Sequence, residues 1–267
     1  MPRVRSGDAE IVYEVLGDGP PVLLLHPFPA HRGLWMPAAQ SLVSRYRVIL
    51  PDLRGHGDSG VGEAPATMEK HAADLGRVLD HAEAGRVAIA GVSIGGYVFF
   101  EFWRRFRGRV AAVVLCDTKA QADTPEARAA RLQAAADVMQ RGTEPFVESM
   151  VPKLLGKTTL NTRPDLVKGA RQIMLKSSRE GISQVQKGMA ERPDSVNTLK
   201  TINVPALVVV GDEDSLSTVA DAELMRQNIG GCVLKVIPRA GHYAVWEQHE
   251  AVGNVVRQFL DAAQLSG

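Results

Sequence analysis

The sequence lacks an excess of charge of either sign. Its 31 lysine and arginine residues nearly balance 30 aspartate and glutamate residues, which gives a formal net charge of +1. No long run of one sign stands out, so the chain has no electrostatic footprint for nucleic acid or for an anionic membrane surface. We therefore expect a small-molecule partner, and neither nucleic acid nor a membrane.

Cysteine and long apolar runs are also scarce. Cys116 and Cys232 are the two cysteines, too few for a disulfide framework and too far apart for a C-x-x-C pair. Residues 1–13 lack the apolar segment of a signal peptide, and the longest apolar runs, such as 204–210, are far too short to span a bilayer. These absences predict a cytoplasmic protein with reduced thiols, in which Cys116 is a small core residue.

What the sequence does contain is an alternation of strand-like runs with segments of helix length. The runs are apolar throughout, which indicates a mostly parallel sheet covered by helices on both faces, an α/β fold. The GDGP turn at 17–20 predicts that the first two runs form an antiparallel hairpin. The strand-like runs are 11–16, 21–25, 46–50, 87–90, 110–115, 206–210 and 234–237.

The pattern changes between residues 119 and 196. This stretch shows no convincing strand, and prolines stand at several expected helix starts. We predict an inserted helical cap at 119–196 within a core of residues 1–118 and 197–267. The segments with helical periodicity are 125–141, 144–155, 164–177 and 180–191.

The most informative stretch is GVSIGG at residues 91–96, which places Ser93 where an apolar strand turns into an apolar helix. Glycines two residues before and after the serine permit a tight turn, strained backbone geometry at the serine and close packing of strand on helix. The backbone N–H of Ile94 would then lie at the helix N-terminus, where negative charge is favoured. The pattern predicts that Ser93 is a nucleophile; the alternative is an ordinary strand-to-helix turn that carries a serine.

A serine nucleophile needs a general base, and the base needs an orienting carboxylate. The segment GDED at 211–214 and the segment PRAGH at 238–242 each follow a strand-like run, at the end where ligands bind in an open parallel sheet. They predict Asp214 as the acid and His242 as the base. Asp117, which also follows a strand, remains an alternative acid, while Asp212 and Glu213 are interpreted as turn or solvent carboxylates.

With these motifs the chain resembles the α/β-hydrolase superfamily, specifically serine esterases, enol-lactonases and cofactor-free haloperoxidase-like hydrolases with a helical cap. HPFP at 26–29 and PDLRGHGDS at 51–59 extend the resemblance over essentially the whole chain. It implies an eight-stranded, mostly parallel sheet and a Ser93-His242-Asp214 triad that works without cofactor. No histidine pair has helical metal spacing, so we expect no metal site.

The resemblance also implies an oxyanion hole. The family usually has His-Gly where this chain has His26-Pro27, and one donor usually comes from the residue after that glycine. That residue is Phe28, the one residue with an N–H between Pro27 and Pro29. The implied oxyanion donors are the amides of Phe28 and Ile94.

The remaining expectations concern neighbouring side chains. Trp35, Trp246 and Met150 are predicted to bind substrate in an apolar pocket, although core packing is an alternative for Met150 and for Met174 and Met189. We expect His26 to pin the oxyanion loop by hydrogen bonding. Arg54, His56 and Asp58 are interpreted as structural residues of a glycine-rich turn.

These features predict hydrolysis of carboxylic esters with small to medium acyl groups. Lactone or enol-lactone opening, carbon–carbon bond hydrolysis and perhydrolysis would use the same residues. A haloalkane dehalogenase is disfavoured, because it would need a carboxylate nucleophile at position 93. A ligand receptor on a hydrolase fold stays open as an alternative, since function depends on the site and not on the fold. A homodimer also stays open.

Overall fold

The computed structural model describes residues 1–264; residues 265–267, the end of the predicted core range, lie outside the described part. Eight strands form one sheet: β1 Arg3–Ser6, β2 Ala9–Leu16, β3 Pro21–Leu25, β4 Arg47–Pro51, β5 Val87–Val92, β6 Val110–Cys116, β7 Ala206–Gly211 and β8 Val233–Ile237. The helices of the described part are α1 Met36–Ala39, α2 Met68–His81, α3 Ile94–Phe106, α4 Pro125–Arg141, α5 Thr143–Leu154, α6 Lys157–Thr162, α7 Pro164–Met174, α8 Arg179–Ala190, α9 Val196–Leu199, α10 Val219–Asn228, α11 Ala244–Glu247 and α12 His249–Ala262.

The sheet has the strand order β1-β2-β4-β3-β5-β6-β7-β8. Strand β2 pairs antiparallel with β1 and with β4, and all pairs from β4 to β8 are parallel. The mostly parallel eight-stranded sheet confirms the predicted fold class. Its parallel strands end at one edge of the sheet, and the loops that follow β3, β5, β6, β7 and β8 all leave from that edge.

The predicted hairpin between residues 11–16 and 21–25 is wrong. Strand β4 lies between these two strands, with Glu14 opposite Leu50 and Val22 opposite Val48. The intervening turn packs against the end of the segment that leads into β4: a Cβ at Gly17 would lie 2.2 Å from the Val43 carbonyl oxygen. The turn thus packs against the segment that precedes β4, and β4 lies between β2 and β3.

The antiparallel hairpin of this fold is instead formed by β1 and β2. Sequence analysis missed β1 because half of its four residues are arginine and it lies at the edge of the sheet. Residues Val4 and Ile11 are opposite each other across this pair, and the turn between the strands contains Gly7 at a φ of 57°.

The apolar character of the central strands reflects burial on both faces of the sheet. In β5, Val87 and Ile89 belong to a core formed with α2, α3 and α10, whereas Ala88 and Ala90 belong to a second core formed with α1, α11 and α12. Each central strand therefore buries alternate side chains in different cores, which removes any polar alternation from its sequence.

Six helices, α4 to α9, lie between β6 and β7 in the chain, and α4 to α8 fall within the insertion predicted at 119–196. The helices predicted at 125–141, 144–155, 164–177 and 180–191 correspond to α4, α5, α7 and α8, with ends that agree to within three residues. Helix α6 was missed because its sequence, KTTLNT, is polar and rich in β-branched residues. No helix within residues 1–264 is long and apolar enough to cross a membrane.

The insertion contacts the rest of the chain at close range along α8. A Cβ at Gly188 would lie 1.9 Å from the Ala66 carbonyl oxygen, and the Ala66 N–H donates to the Gln184 carbonyl at 3.1 Å. Since the obstructing atom belongs to the backbone, a larger residue at 188 would have to displace the helix.

We therefore expect Gly188→Ala to lower the free energy of unfolding by about 1–3 kcal/mol, the usual cost of overpacking. The control is Gly108→Ala, because nothing lies within 4 Å of a Cβ at that position and a change within about 0.5 kcal/mol is expected. Urea denaturation followed by circular dichroism measures both. Equal midpoints for the two variants would contradict the close contact at Gly188.

Candidate active site

Ser93 lies in a sharp turn between β5 and α3. Its φ of 54° and ψ of −113° fall where a residue with a side chain is strained, at a cost of about 1–3 kcal/mol. A Cβ at Gly91 would lie 2.5 Å from the Gly95 carbonyl oxygen, and a Cβ at Gly95 would lie 2.7 Å from the Leu25 carbonyl oxygen. The two glycines thus let strand and helix meet at the serine.

The backbone on both sides of Ser93 is held by the end of β6. The Ser93 N–H donates to the Cys116 carbonyl at 3.1 Å, and the Thr118 hydroxyl donates to the Ser93 carbonyl at 2.7 Å. These two hydrogen bonds fix the strained turn without using the serine hydroxyl. The side chain is available for chemistry at the N-terminus of α3.

Two backbone amides lie near this turn and have no hydrogen-bond acceptor within residues 1–264, those of Phe28 and Ile94. Ile94 is the first residue of α3. Phe28 follows β3, precedes a cis peptide bond to Pro29, and accepts a hydrogen bond from the Tyr243 hydroxyl on its carbonyl at 3.0 Å. Both N–H groups are thus free of protein acceptors in the described part of the chain.

The loop that carries Phe28 rests on buried histidines. His26 donates from Nδ1 to the Pro27 carbonyl at 3.0 Å and accepts the Leu53 N–H on Nε2 at 2.8 Å. The ring of His56 lies edge-on to the rings of His26 and Phe28, with centroids 4.9 and 5.8 Å apart. Burial lowers the pKa of both histidines to about 3. His26 pins the loop, as the sequence predicts, and both rings are neutral.

Asp214 and His242 are in direct contact. Asp214 follows β7, and its Oδ2 accepts a hydrogen bond from His242 Nδ1 at 2.8 Å. The other oxygen of the carboxylate accepts the N–H groups of Leu216 at 2.8 Å and Ser217 at 3.0 Å. With a proton on Nδ1, His242 presents an unprotonated Nε2. Ser93 and His242 line the same cavity.

A second carboxylate positions the histidine loop, and sequence analysis missed it. Glu247 is buried on α11, and its two oxygens accept the N–H groups of Gly241 at 2.9 Å and Gly156 at 2.8 Å. Burial raises the pKa of Glu247, and these amide donors oppose the shift. The one sequence signal was an acidic residue five positions after the predicted base, which does not reveal the amides that it contacts.

Asp117, the alternative acid, lies in the core with its oxygens on backbone amides. It accepts the Gly211 N–H at 2.8 Å and the Ala244 N–H at 3.3 Å. Burial, together with the nearby charge of Asp214, raises the pKa of Asp117 well above its usual range. The structure thus joins His242 to Asp214, whereas Asp117 is hydrogen-bonded to the backbone of β7 and α11.

The other carboxylates of the acid loop have distinct contacts. Asp212 accepts the Arg239 N–H at 2.7 Å, as expected of a turn carboxylate. Glu213 is not a solvent carboxylate: its two oxygens accept the N–H and the hydroxyl of Thr158 at 2.8 and 2.6 Å. Glu213 therefore ties the insertion to the loop of Asp214.

A cavity of about 550 Å³ opens between Ser93 and the inserted helices. Its walls include Phe28 and His242 from the sheet side and Phe146, Met150 and Met189 from the insertion. Met174, by contrast, is fully buried in the second core. The insertion forms the roof of the cavity, and most of that roof is apolar.

The predicted pocket roles of Trp35 and Trp246 are wrong. Trp35 is fully buried in the second core, where its Nε1–H donates to the Leu25 carbonyl at 2.9 Å. Trp246 packs against Gly169, and its Nε1–H donates to the Leu166 carbonyl at 3.0 Å. Each indole has its polar atom paired with a backbone oxygen inside the protein, and neither lines the cavity.

The glycine-rich turn after β4 lies outside the cavity. Arg54 forms hydrogen bonds to both oxygens of Asp74 at 2.9 and 2.8 Å, and Asp58 pairs with Arg32 at 2.8 Å. These contacts are structural, in line with the interpretation of the turn from sequence. Within residues 1–264 no cluster of three or more histidine, cysteine or acidic side chains is arranged to hold a metal ion.

A family model for the alpha/beta hydrolase fold matches residues 20–248. The chain is similar to a thermophilic esterase from Thermogutta terrifontis solved with malate bound, with 38% identity and a TM-score of 0.95 over 98% of this chain and 99% of that chain. It is also similar to the enol-lactonase from Burkholderia xenovorans, with 25% identity and a TM-score of 0.91 over 97% and 100% of the two chains.

Among curated proteins, 3-oxoadipate enol-lactonase 2 of Acinetobacter baylyi is 26% identical over 259 residues, which is 96% of this chain and 95% of the relative. These proteins are esterases and lactonases, and both kinds are hydrolases. They confirm the resemblance inferred from the sequence motifs.

The buried histidines make stability depend on pH. The pKa of His56 is about 3 in the folded protein, against an ordinary 6.5. Between these values the unfolded chain binds a proton that the folded chain does not, so the free energy of unfolding falls as the pH decreases below about 6.5. One such ring costs about 2 kcal/mol between pH 7.5 and pH 5.

We therefore compare the free energy of unfolding of His56→Gln with that of the wild type by urea denaturation at pH 7.5 and at pH 5. The difference should shift in favour of the variant by about 2 kcal/mol at the lower pH. Gly108→Ala changes no titrating group and should keep a constant offset from the wild type. A constant offset for His56→Gln as well would show that the folded ring takes up protons normally.

Proposed function

The chain belongs to the alpha/beta hydrolase fold family, and we propose that this hydrolase cleaves carboxylic esters of small to medium acyl groups with Ser93 as its nucleophile. One observation carries the proposal. The strained serine just before α3 shares a cavity with His242. The Nδ1 atom of this histidine is hydrogen-bonded to Asp214 Oδ2 at 2.8 Å. This combination supplies a nucleophile, a base and an orienting carboxylate.

In the proposed reaction Ser93 Oγ attacks the ester carbonyl carbon while His242 Nε2 takes the hydroxyl proton. Asp214 stabilises the imidazolium that forms, through the hydrogen bond to Nδ1. The imidazolium then gives its proton to the departing alcohol, which leaves an acyl group on Ser93. Water attacks this acyl-enzyme with His242 again as the base, and the carboxylic acid is released.

The negative oxygen of each tetrahedral intermediate would lie between the amides of Phe28 and Ile94. Neither amide has an acceptor within the described residues, so no protein hydrogen bond has to break when the oxyanion forms. A single donor of this kind contributes about 10²–10³ to turnover. The N-terminus of α3 adds a favourable field at the same oxygen.

The cavity supports the proposed substrate class. Its volume of about 550 Å³ lies in the range typical of small-molecule sites, and Phe28, Phe146 and Met150 offer apolar contacts to an acyl chain. The esterase from Thermogutta terrifontis, similar over nearly the whole chain, supports an ester as the substrate. No cofactor takes part in the proposed steps.

A second candidate is lactone or enol-lactone hydrolysis. It is favoured by the enol-lactonases from Burkholderia xenovorans and Acinetobacter baylyi, each similar to this chain over nearly its full length. The same groups would act, except that the alcohol released from the carbonyl stays attached to the acyl group. Comparing kcat/KM for an open ester and for a lactone of equal carbon number distinguishes the two candidates.

The nucleophile is tested with Ser93→Ala. We expect the wild type to hydrolyse p-nitrophenyl acetate, butyrate and octanoate, and the variant to fall to background, because no other hydroxyl replaces the attacking oxygen. Ser149→Ala is the control, since Ser149 lines the same cavity on α5 and is expected to keep most of the activity. Equal loss in both variants, or none in Ser93→Ala, would contradict the assignment.

The acid is tested by comparing Asp214→Asn with Asp117→Asn. Asparagine at 214 favours the wrong tautomer of His242, so we expect kcat to fall on the order of 10⁴. Asparagine at 117 keeps an oxygen for the Gly211 N–H and should cost stability much more than kcat. A silent change at Asp214 with a large kcat loss at Asp117 would reverse the assignment.

A further inference from the structure

We propose that the cavity selects esters which carry a carboxylate, and that Lys119 binds this carboxylate. The inference rests on the proposed function of Ser93 and adds the chemical class of its substrate. Lys119 follows Thr118, whose hydroxyl donates to the Ser93 carbonyl at 2.7 Å. It therefore lies on the segment that supports the nucleophile, and it lines the cavity.

The ammonium group of Lys119 donates one hydrogen bond within the described part of the protein. Its Nζ donates to the Leu216 carbonyl at 3.2 Å, and no carboxylate within residues 1–264 lies within 4.0 Å of it. An ammonium has three N–H donors, so two remain for a ligand. A half-buried cation without a counter-ion favours an anionic partner.

The cationic side chains that line the cavity outnumber the anionic ones. Asp123 is paired with Arg131 at 2.5 Å and with Arg192 at 2.7 Å, so it does not neutralise Lys119. Asp137 accepts a hydrogen bond from the Gln133 amide at 2.8 Å. The charged side chains that line the cavity are the cations Lys119, Arg131, Arg141 and Lys153 and the anions Asp123 and Asp137.

Two of these cations stand at the outer part of the cavity. Arg141 and Lys153 are exposed and form no ion pair within the described residues. Exposed cations around a concave site raise the local concentration of anionic ligands. Lys119 is half-buried, lines the cavity and follows the residue that contacts the Ser93 carbonyl, so we place it against the bound substrate.

The same wall offers a second donor. The Ser217 hydroxyl is buried and has no hydrogen-bond partner in the described part of the chain, and Ser217 lines the cavity next to Leu216. A buried hydroxyl without a partner is costly, and it would gain an acceptor if the Ser217 side chain turned toward a carboxylate oxygen in the cavity. One ammonium and one hydroxyl suit a carboxylate better than a phosphate dianion, which usually recruits an arginine fork or several amides.

The test compares esters that differ in one terminal group. The pairs are p-nitrophenyl pentanoate with mono-p-nitrophenyl glutarate, and p-nitrophenyl octanoate with mono-p-nitrophenyl suberate, so each pair has acyl chains of equal length. We expect Lys119→Met to lower kcat/KM for the carboxylated esters by roughly 10- to 100-fold, as for loss of a charged hydrogen bond. The neutral esters should change little, and Lys119→Arg should restore much of the loss.

The matched control is Lys168→Met, since Lys168 is exposed on α7 and does not line the cavity; it should leave the ratio between paired esters unchanged. If the neutral esters are hydrolysed but Lys119→Met lowers both members of each pair equally, the carboxylate site is overturned while the proposed function stands.

Binding to Ser93→Ala by calorimetry gives a readout that does not depend on turnover. Monomethyl glutarate and monomethyl suberate should bind more tightly than methyl pentanoate and methyl octanoate, which carry no carboxylate, and adding Lys119→Met should remove the difference. If no ester is hydrolysed and this difference is still seen, the proposed function fails and the carboxylate site is retained. Equal binding of the monomethyl esters with and without Lys119 overturns the site.

Discussion

The geometry of the site depends on how closely α3 approaches the ends of two strands. A Cβ at Gly95 would lie 2.7 Å from the Leu25 carbonyl oxygen of β3, and a Cβ at Gly96 would lie 2.4 Å from the hydroxyl of Thr118 beyond β6. The first turn of the helix fits there because both side chains are missing. Since Ser93 immediately precedes this turn, its position relative to the amides of Phe28 and Ile94 and to the cavity is set by these close contacts.

The part of the site that sequence predicts well is the part that depends on local rules. Ser93, Asp214 and His242 each follow a strand of one parallel sheet, so their loops meet at one edge whatever the details of packing. Glycine spacing then predicted the turn, because the close approach of strand and helix at Gly91 and Gly95 leaves no room for a Cβ. The fold class followed from strands that are apolar throughout.

The failures concern features that only long-range pairing decides. The order of strands in the sheet placed β4 between β2 and β3, although the turn at 17–20 suggested a hairpin. Trp35 looked like a pocket residue because it follows the oxyanion loop, yet its indole N–H is satisfied inside the core by the Leu25 carbonyl. Glu247 and Lys119 gave no signal for a similar reason, since their partners lie in distant loops.

The residues Gly156 to Thr158, at the start of α6, are held by Glu213 and by Glu247. Glu213 precedes Asp214 in the chain, and Glu247 lies on α11 and also holds the amide of Gly241 next to His242. The roof of the cavity is therefore bonded to the same parts of the chain that hold the acid and the base. For protein engineering, this segment is where the insertion has to stay joined to the core. Helix α4, which lines the cavity, can be exchanged for another to reshape it, provided that a graft preserves the two amides and the threonine hydroxyl that donate to these carboxylates.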